Sequence, residues 1–184
     1  SYGLVGNANI DLVFENGEVD DVAAYVQTGY SNGSTTATSL KLVIDLADFS
    51  NGSKGEYPLY HDRVIAHEMV HAIMALNMDI TLLPAWFNEG AAEFIHGADE
   101  RVNTDMWQLD SQANFNAFFN TAVGSPSTSA GYSVSYIAVK LLDKEIRTAG
   151  GNGIKDVFNQ LKTGQSLNQV LFNVSSALGL QSKW

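Results

Sequence analysis

His67-Glu68-Met69-Val70-His71 lies within residues 59 to 77, a run that is apolar nearly all round: Val64, Ile65, Ala66, Met69, Val70, Ala72, Ile73, Met74 and Leu76. Such a run predicts a central buried helix rather than a surface one. On that helix His67 and His71 stand four apart and share one face. Two imidazoles so placed can reach one zinc ion at roughly 2.0–2.1 Å each. Glu68 is displaced by one residue, beside a bound ion rather than on it, where a carboxylate can take a proton from water. Two His and a Glu on a buried helix are costly unless they are paired or bind metal. The pattern is short, and a helix with two packed histidines is its plain alternative.

Working outward, Trp86-Phe87-Asn88-Glu89-Gly90 follows, with Pro84 suited to the first turn of a second helix over 84–96 and Gly97 to its end. Glu89 comes 18 positions after His71. An antiparallel neighbour at that separation can return its first turn to the histidine pair, so Glu89 is the candidate third ligand, leaving a fourth position for water. Glu93 is four further on, on the same face. It can accept the free ring N–H of a ligating His; its alternative is a capped or solvated helix Glu. A catalytic zinc also calls for a second donor to the developing oxyanion, and Tyr132 and Tyr136 are candidates. His61 and His96 read as structural or surface residues.

Upstream, Ile10–Phe14 has strand composition, and Asn16-Gly17 signals a turn. Val19, Val22, Ala23 and Val26 recur at helical spacing behind an acidic first turn, which predicts a helix over 18–29. Residues 30–39 read as a loop, 40–46 as the clearest strand, and 48–58 as a connecting loop. Downstream, 98–103 read as a polar loop and 104–122 as helical. Residues 132–147 form a strong amphipathic helix, and 154–161 and 167–171 are short helices. Strands and helices mix early and helices alone follow, an α+β pattern.

The chain has 184 residues, 45% of them hydrophobic, enough for one sizeable core. No apolar run approaches ~20 residues, which argues against a membrane span. The start, Ser1-Tyr2-Gly3, reads as a piece of a longer protein or a mature form. Cys is absent, so disulfides and thiolate metal sites are excluded. Residues 1–112 carry 17 acidic and 4 basic residues, and 113–184 carry 3 and 6. Such acidity disfavours nucleic acid and anionic lipid as partners.

The motif pair resembles the gluzincin group of zinc peptidases. Aminopeptidases of that group carry a similar Trp-x-Asn-Glu-Gly segment, and clostridial collagenases a Trp-Tyr-x-Glu-Gly-x-Ala-Glu-Phe-Phe segment. The runs His67–Met74 and Phe94-Ile95-His96-Gly97-Ala98-Asp99-Glu100-Arg101 resemble above all the flagellinolysin family, metallopeptidase domains embedded in some bacterial flagellins and related to collagenase catalytic domains. The match is tight over residues 61–102. It implies one catalytic Zn2+ on His67, His71 and Glu89, Glu68 as general base, and Glu93 supporting a ligating His. It implies Tyr132 as the catalytic tyrosine, with Tyr136 one turn further in, although the helix lacks the Lys-Gly of the aminopeptidases. No Gly-x-Met-Glu-Asn-like exopeptidase signature is present, which favours an endopeptidase, and no collagen-recruiting module is present either.

The expected fold is therefore α+β and zincin-like, a single metallopeptidase domain over 1–184. Residues 1–80 would hold a small twisted sheet with the active-site helix, and 81–184 a helical lower part. The expected activity is zinc-dependent hydrolysis of internal peptide bonds in extracellular proteins. The resemblance further implies display on the bacterial flagellum, as part of a larger flagellin chain in a filament. The alternative is a catalytically silent, zinc-stabilised structural or adhesive module of a surface filament.

Overall fold

The computed structural model describes residues 2–17, 22–49 and 60–180. Three strands form one sheet: β1 (Asp11–Glu15), β2 (Ala24–Gly29) and β3 (Ser39–Asp45), in the order β1-β3-β2. β3 runs parallel to β1 and antiparallel to β2, with Val26 opposite Leu42. The inward side chains of one face, Leu42 and Ile44, meet Ala24 and the partly buried Val64, Ile65 and Met69. Those last three belong to α2 (His61–Ala75), the helix that carries the His-Glu motif. The opposite flank of α2, through Val70 and Met74, enters a second core with Phe87, Val139, Ile146 and Phe158. The helix is apolar all round because it is the middle layer, with the sheet on one side and helices on the other.

Eight helices are described. A short α1 (Leu46–Phe49) follows β3; after α2 and a 3-10 turn at Ile80–Leu82 come α3 (Ala85–His96), α4 (Asp99–Asp105), α5 (Gln112–Ala122), α6 (Ser129–Thr148), α7 (Ile154–Leu161) and α8 (Leu167–Ala177). Pro84 precedes α3, and Gly97 ends it in the left-handed region at φ 86°, its N–H returning to Glu93 O. Thr128 caps α6 by accepting from the Gly131 N–H. α3 and α6 meet backbone to backbone: a Cβ at Gly90 would lie 2.4 Å from the Ser135 carbonyl oxygen. The first residues run back over the helical half. Tyr2 packs edge-on to Phe94, Lys162 donates to the Gly3 carbonyl, and the Asn77 amide brackets Val5 on both its N–H and its C=O. None of the described helices is long and apolar enough to cross a membrane.

Several sequence expectations need correction. The helix expected over 18–29 is strand β2 from Ala24 onward; 18–21 lie outside the described residues. Tyr25, Val26 and Thr28 suit a pleated surface, and pairing with β3 overrides the weak helical spacing of Val22, Ala23 and Val26. The polar loop expected over 98–103 is helix α4, whose acidic first turn, Asp99 and Glu100, suits a helix N-terminus. Its last residue, Asp105, is buried and accepts from the Ser129 and Ser133 hydroxyls at 2.8 and 2.6 Å. The helical segment expected over 104–122 is interrupted between Asp105 and Gln112. Within the loop expected over 48–58, Asp48 and Phe49 close α1, and 50–58 lie outside the described residues.

Candidate metal centre

Two layers converge on one point. α2 presents His67 and His71 from the same face, and α3 presents Glu89, just past its first turn. His67 Nε2 lies 3.0 Å from Glu89 Oε2, His71 Nε2 lies 3.1 Å from the same oxygen, and the two imidazole nitrogens are 3.0 Å apart. Three lone-pair atoms facing one another this closely repel unless a proton or a cation sits among them. Ligands at roughly 2.0–2.2 Å around a tetrahedral zinc stand about 3.3 Å apart, so the donor set fits such an ion with little adjustment.

Glu68 stands outside that triangle. Its Oε2 accepts the backbone N–H of Val26 in β2 at 3.0 Å. Just before β2 and at its end, the Ala23 and Gly29 carbonyls accept from the Asp45 and Thr38 N–H groups. The backbone of odd-numbered residues therefore faces β3, and the N–H and C=O of Ala24, Val26 and Thr28 face the edge that no described strand covers. Burial pushes the Glu68 carboxyl up, opposed by the neighbouring His67 and His71 and by the Val26 N–H.

Behind His67 sits Glu93, fully buried, with Oε1 2.9 Å from His67 Nδ1, at hydrogen-bond length though off the ideal angle. Its other oxygen faces Arg101 Nε at 3.3 Å and His96 Nε2 at 3.6 Å. Burial would raise both carboxyls. The contacts with His67 and His71 instead hold Glu89 down to about 2, and those with His67, His96 and Arg101 hold Glu93 well below the usual carboxylate range. Burial would likewise lower His67, but Glu89 and Glu93 reverse that and raise it to about 10. Two carboxylates that favour positive charge at His67 would favour a metal cation there in place of the proton.

The chain thus has His/Glu groups that could hold a metal ion. Besides the triangle, two groups among the described residues bring their ligand atoms within 4.8 Å of one another: His67 with Glu68 and His71, and His67 with Glu93 and His96. In that second group Arg101 already supplies a cation to Glu93, so the triangle on the Nε2 side is the better site.

Tyr132 reaches the centre and Tyr136 does not. The Tyr132 ring is 6.0 Å from that of His67, and burial raises its phenol to about 12. The Tyr136 hydroxyl donates instead to Asp99, with Lys140 Nζ 2.8 Å away. A cavity of about 250 Å³ opens beside His67, Glu68 and Tyr132, walled by Val22, Ala23 and Ala24 and by Arg63, Ala98 and Arg101. A larger cavity of about 540 Å³ between α6 and α8 is lined by apolar residues and Ser175, without a titratable group.

His61 stacks on Phe49 at 4.1 Å, away from the triangle. His96 is buried against Glu93 rather than at the surface. Its position three after Glu93, on the same helical face, is a signal the sequence offers. Arg101 lies beyond the Gly97 break, and no spacing rule points to it. Val26 contributes only backbone and leaves no side-chain signature. Compared with family models, curated proteins and solved structures, the chain matches none of them.

Proposed function

We propose that this chain is a zinc-dependent endopeptidase domain of gluzincin type that hydrolyses internal peptide bonds of extracellular proteins. One observation carries the reading. His67 Nε2, His71 Nε2 and Glu89 Oε2 converge within 3.1 Å, while Glu68, the motif's remaining acid, stands beside that triangle with one oxygen on the Val26 N–H. A zinc ion bound there would supply a Lewis acid for the scissile carbonyl and lower the pKa of a water toward ~7.

The chain's own residues do the rest. Glu68, pinned by Val26, takes the proton of the attacking water and passes it to the departing amine nitrogen. The Tyr132 hydroxyl donates to the oxygen on which negative charge develops. Glu93 fixes the tautomer and ring orientation of His67. The open edge of β2, with the N–H and C=O of Ala24 and Thr28, offers an extended peptide a strand to pair with. Display on a flagellar filament, within a larger flagellin chain, is the setting the sequence resemblance implies.

The test is elemental analysis combined with digestion of an end-blocked peptide library, with and without chelator. One zinc per chain and chelator-sensitive internal cuts support the reading. Zinc without cuts favours a structural metal module, and no zinc after metal is supplied overturns the ligand set.

A further inference from the structure

Arg101 touches two parts of the centre at once. Its Nε edge lies 3.3 Å from Glu93 Oε2, and its guanidinium carbon lies 4.8 Å from the centre of the Tyr132 ring. The side chain is only 18% exposed, and the carboxylate it meets is fully buried. The other arginine at the cavity, Arg63, is engaged elsewhere, with Glu100 at 2.6 Å and the His96 carbonyl at 3.3 Å. A planar guanidinium can present an edge to a carboxylate and a face to an aromatic ring together; an ammonium can do only the first with comparable geometry.

Resting on the zinc peptidase reading above, we propose that Arg101 is a positioning residue that couples the carboxylate behind ligand His67 to the ring of Tyr132. One guanidinium then sets both the orientation of a metal ligand and the place of the oxyanion donor. Arg101 does not reach the reacting atoms; it acts through Glu93 on one side and Tyr132 on the other. The two arms separate by chemistry. Charge next to Glu93 is what the metal side needs, and a flat cation is what the tyrosine side needs.

The experiment compares the wild-type chain with Arg101→Lys, Arg101→Met, Tyr132→Phe and the Arg101→Lys/Tyr132→Phe double variant. Zinc affinity is read by competition with a chromogenic chelator, kcat and KM on an end-blocked quenched peptide, and folding by thermal melts. Arg101→Met is expected to weaken zinc binding about tenfold, while Arg101→Lys stays within about threefold. Arg101→Lys is expected to lower kcat about tenfold with KM nearly constant, and to cause no further loss in the Tyr132→Phe background.

Arg101→Lys at wild-type kcat overturns the proposal, as does the same loss in both backgrounds or wild-type zinc affinity in Arg101→Met. Should Arg101→Met fail to fold, the Arg101→Lys comparison decides alone. A wild-type chain that binds no zinc or cuts no peptide overturns the peptidase reading and this assignment with it. A wild-type chain that cuts, with Arg101→Lys unchanged, removes only the assignment.

Discussion

The backbone N–H of Val26 is bonded to Glu68 Oε2 at 3.0 Å, so the edge of the sheet holds the candidate base in place. Glutamine at 68 can keep that bond through its amide oxygen but cannot take a proton at neutral pH. Glu68→Gln should therefore keep its fold and its zinc and lose kcat by about 10²–10⁴-fold, the usual worth of positioned proton transfer. Metal analysis beside single-turnover rates checks this; near-native cleavage would remove Glu68 from the mechanism.

The two tyrosines one turn apart on α6 have different fates. Tyr132 faces the His67 ring, and the Tyr136 hydroxyl is given to Asp99. Tyr132→Phe should reduce kcat by about 10²-fold, within the range for loss of one oxyanion donor, with little change in KM. Tyr136→Phe should leave kcat nearly untouched. Parallel steady-state kinetics decide, and a reversed pattern would move the oxyanion role to Tyr136.

A metal ion on His67, His71 and Glu89 would join α2 to α3, so its removal should show in stability. Zinc at a hundredfold excess over its dissociation constant stabilises by about 2.7 kcal/mol. In a domain of this size each kcal/mol moves Tm by about 2–4 °C. Adding chelator should then lower Tm by roughly 5–10 °C, and His71→Ala should abolish the difference. Identical melts with and without chelator would mean that no metal bridges the two layers.

Gly90 directly follows Glu89, and a Cβ there would lie 2.4 Å from the Ser135 carbonyl oxygen. Backbone cannot rotate aside as a side chain can, so Gly90→Ala must part α3 from α6, at a cost of about 1–3 kcal/mol. Gly97, left-handed at φ 86° with open space around its Cβ position, should lose about 1 kcal/mol on substitution by Ala. Urea denaturation of the two variants gives the order. A milder effect at Gly90 would show that the helices yield easily there.

Local rules recovered what local spacing encodes. The i,i+4 pair His67 and His71, the Pro84 start and Gly97 stop of α3, and the long amphipathic α6 all depend on residues within a few positions of one another. The meeting of Glu89 with the histidines followed from pairing two such helices. β2 went astray because its preference is set by β3, a partner in space, and α4 because a polar run is held by the buried Asp105 and two serines of α6. Arg101 and the Val26 N–H were invisible for the same reason: each acquires its role from a neighbour that only the folded chain supplies.

The first residues of the chain carry a consequence for time rather than energy. Gly3 is held by Lys162, 159 positions away, and Val5 by Asn77, 72 positions away. Contacts so distant along the chain close late, because the loop entropy must be lost before they form. During synthesis Val5 has no seat until Asn77 has been made, and Gly3 none until Lys162 follows α7. The opening segment should therefore be among the last parts of the molecule to gain protection in pulsed hydrogen exchange, although it precedes the three strands in sequence.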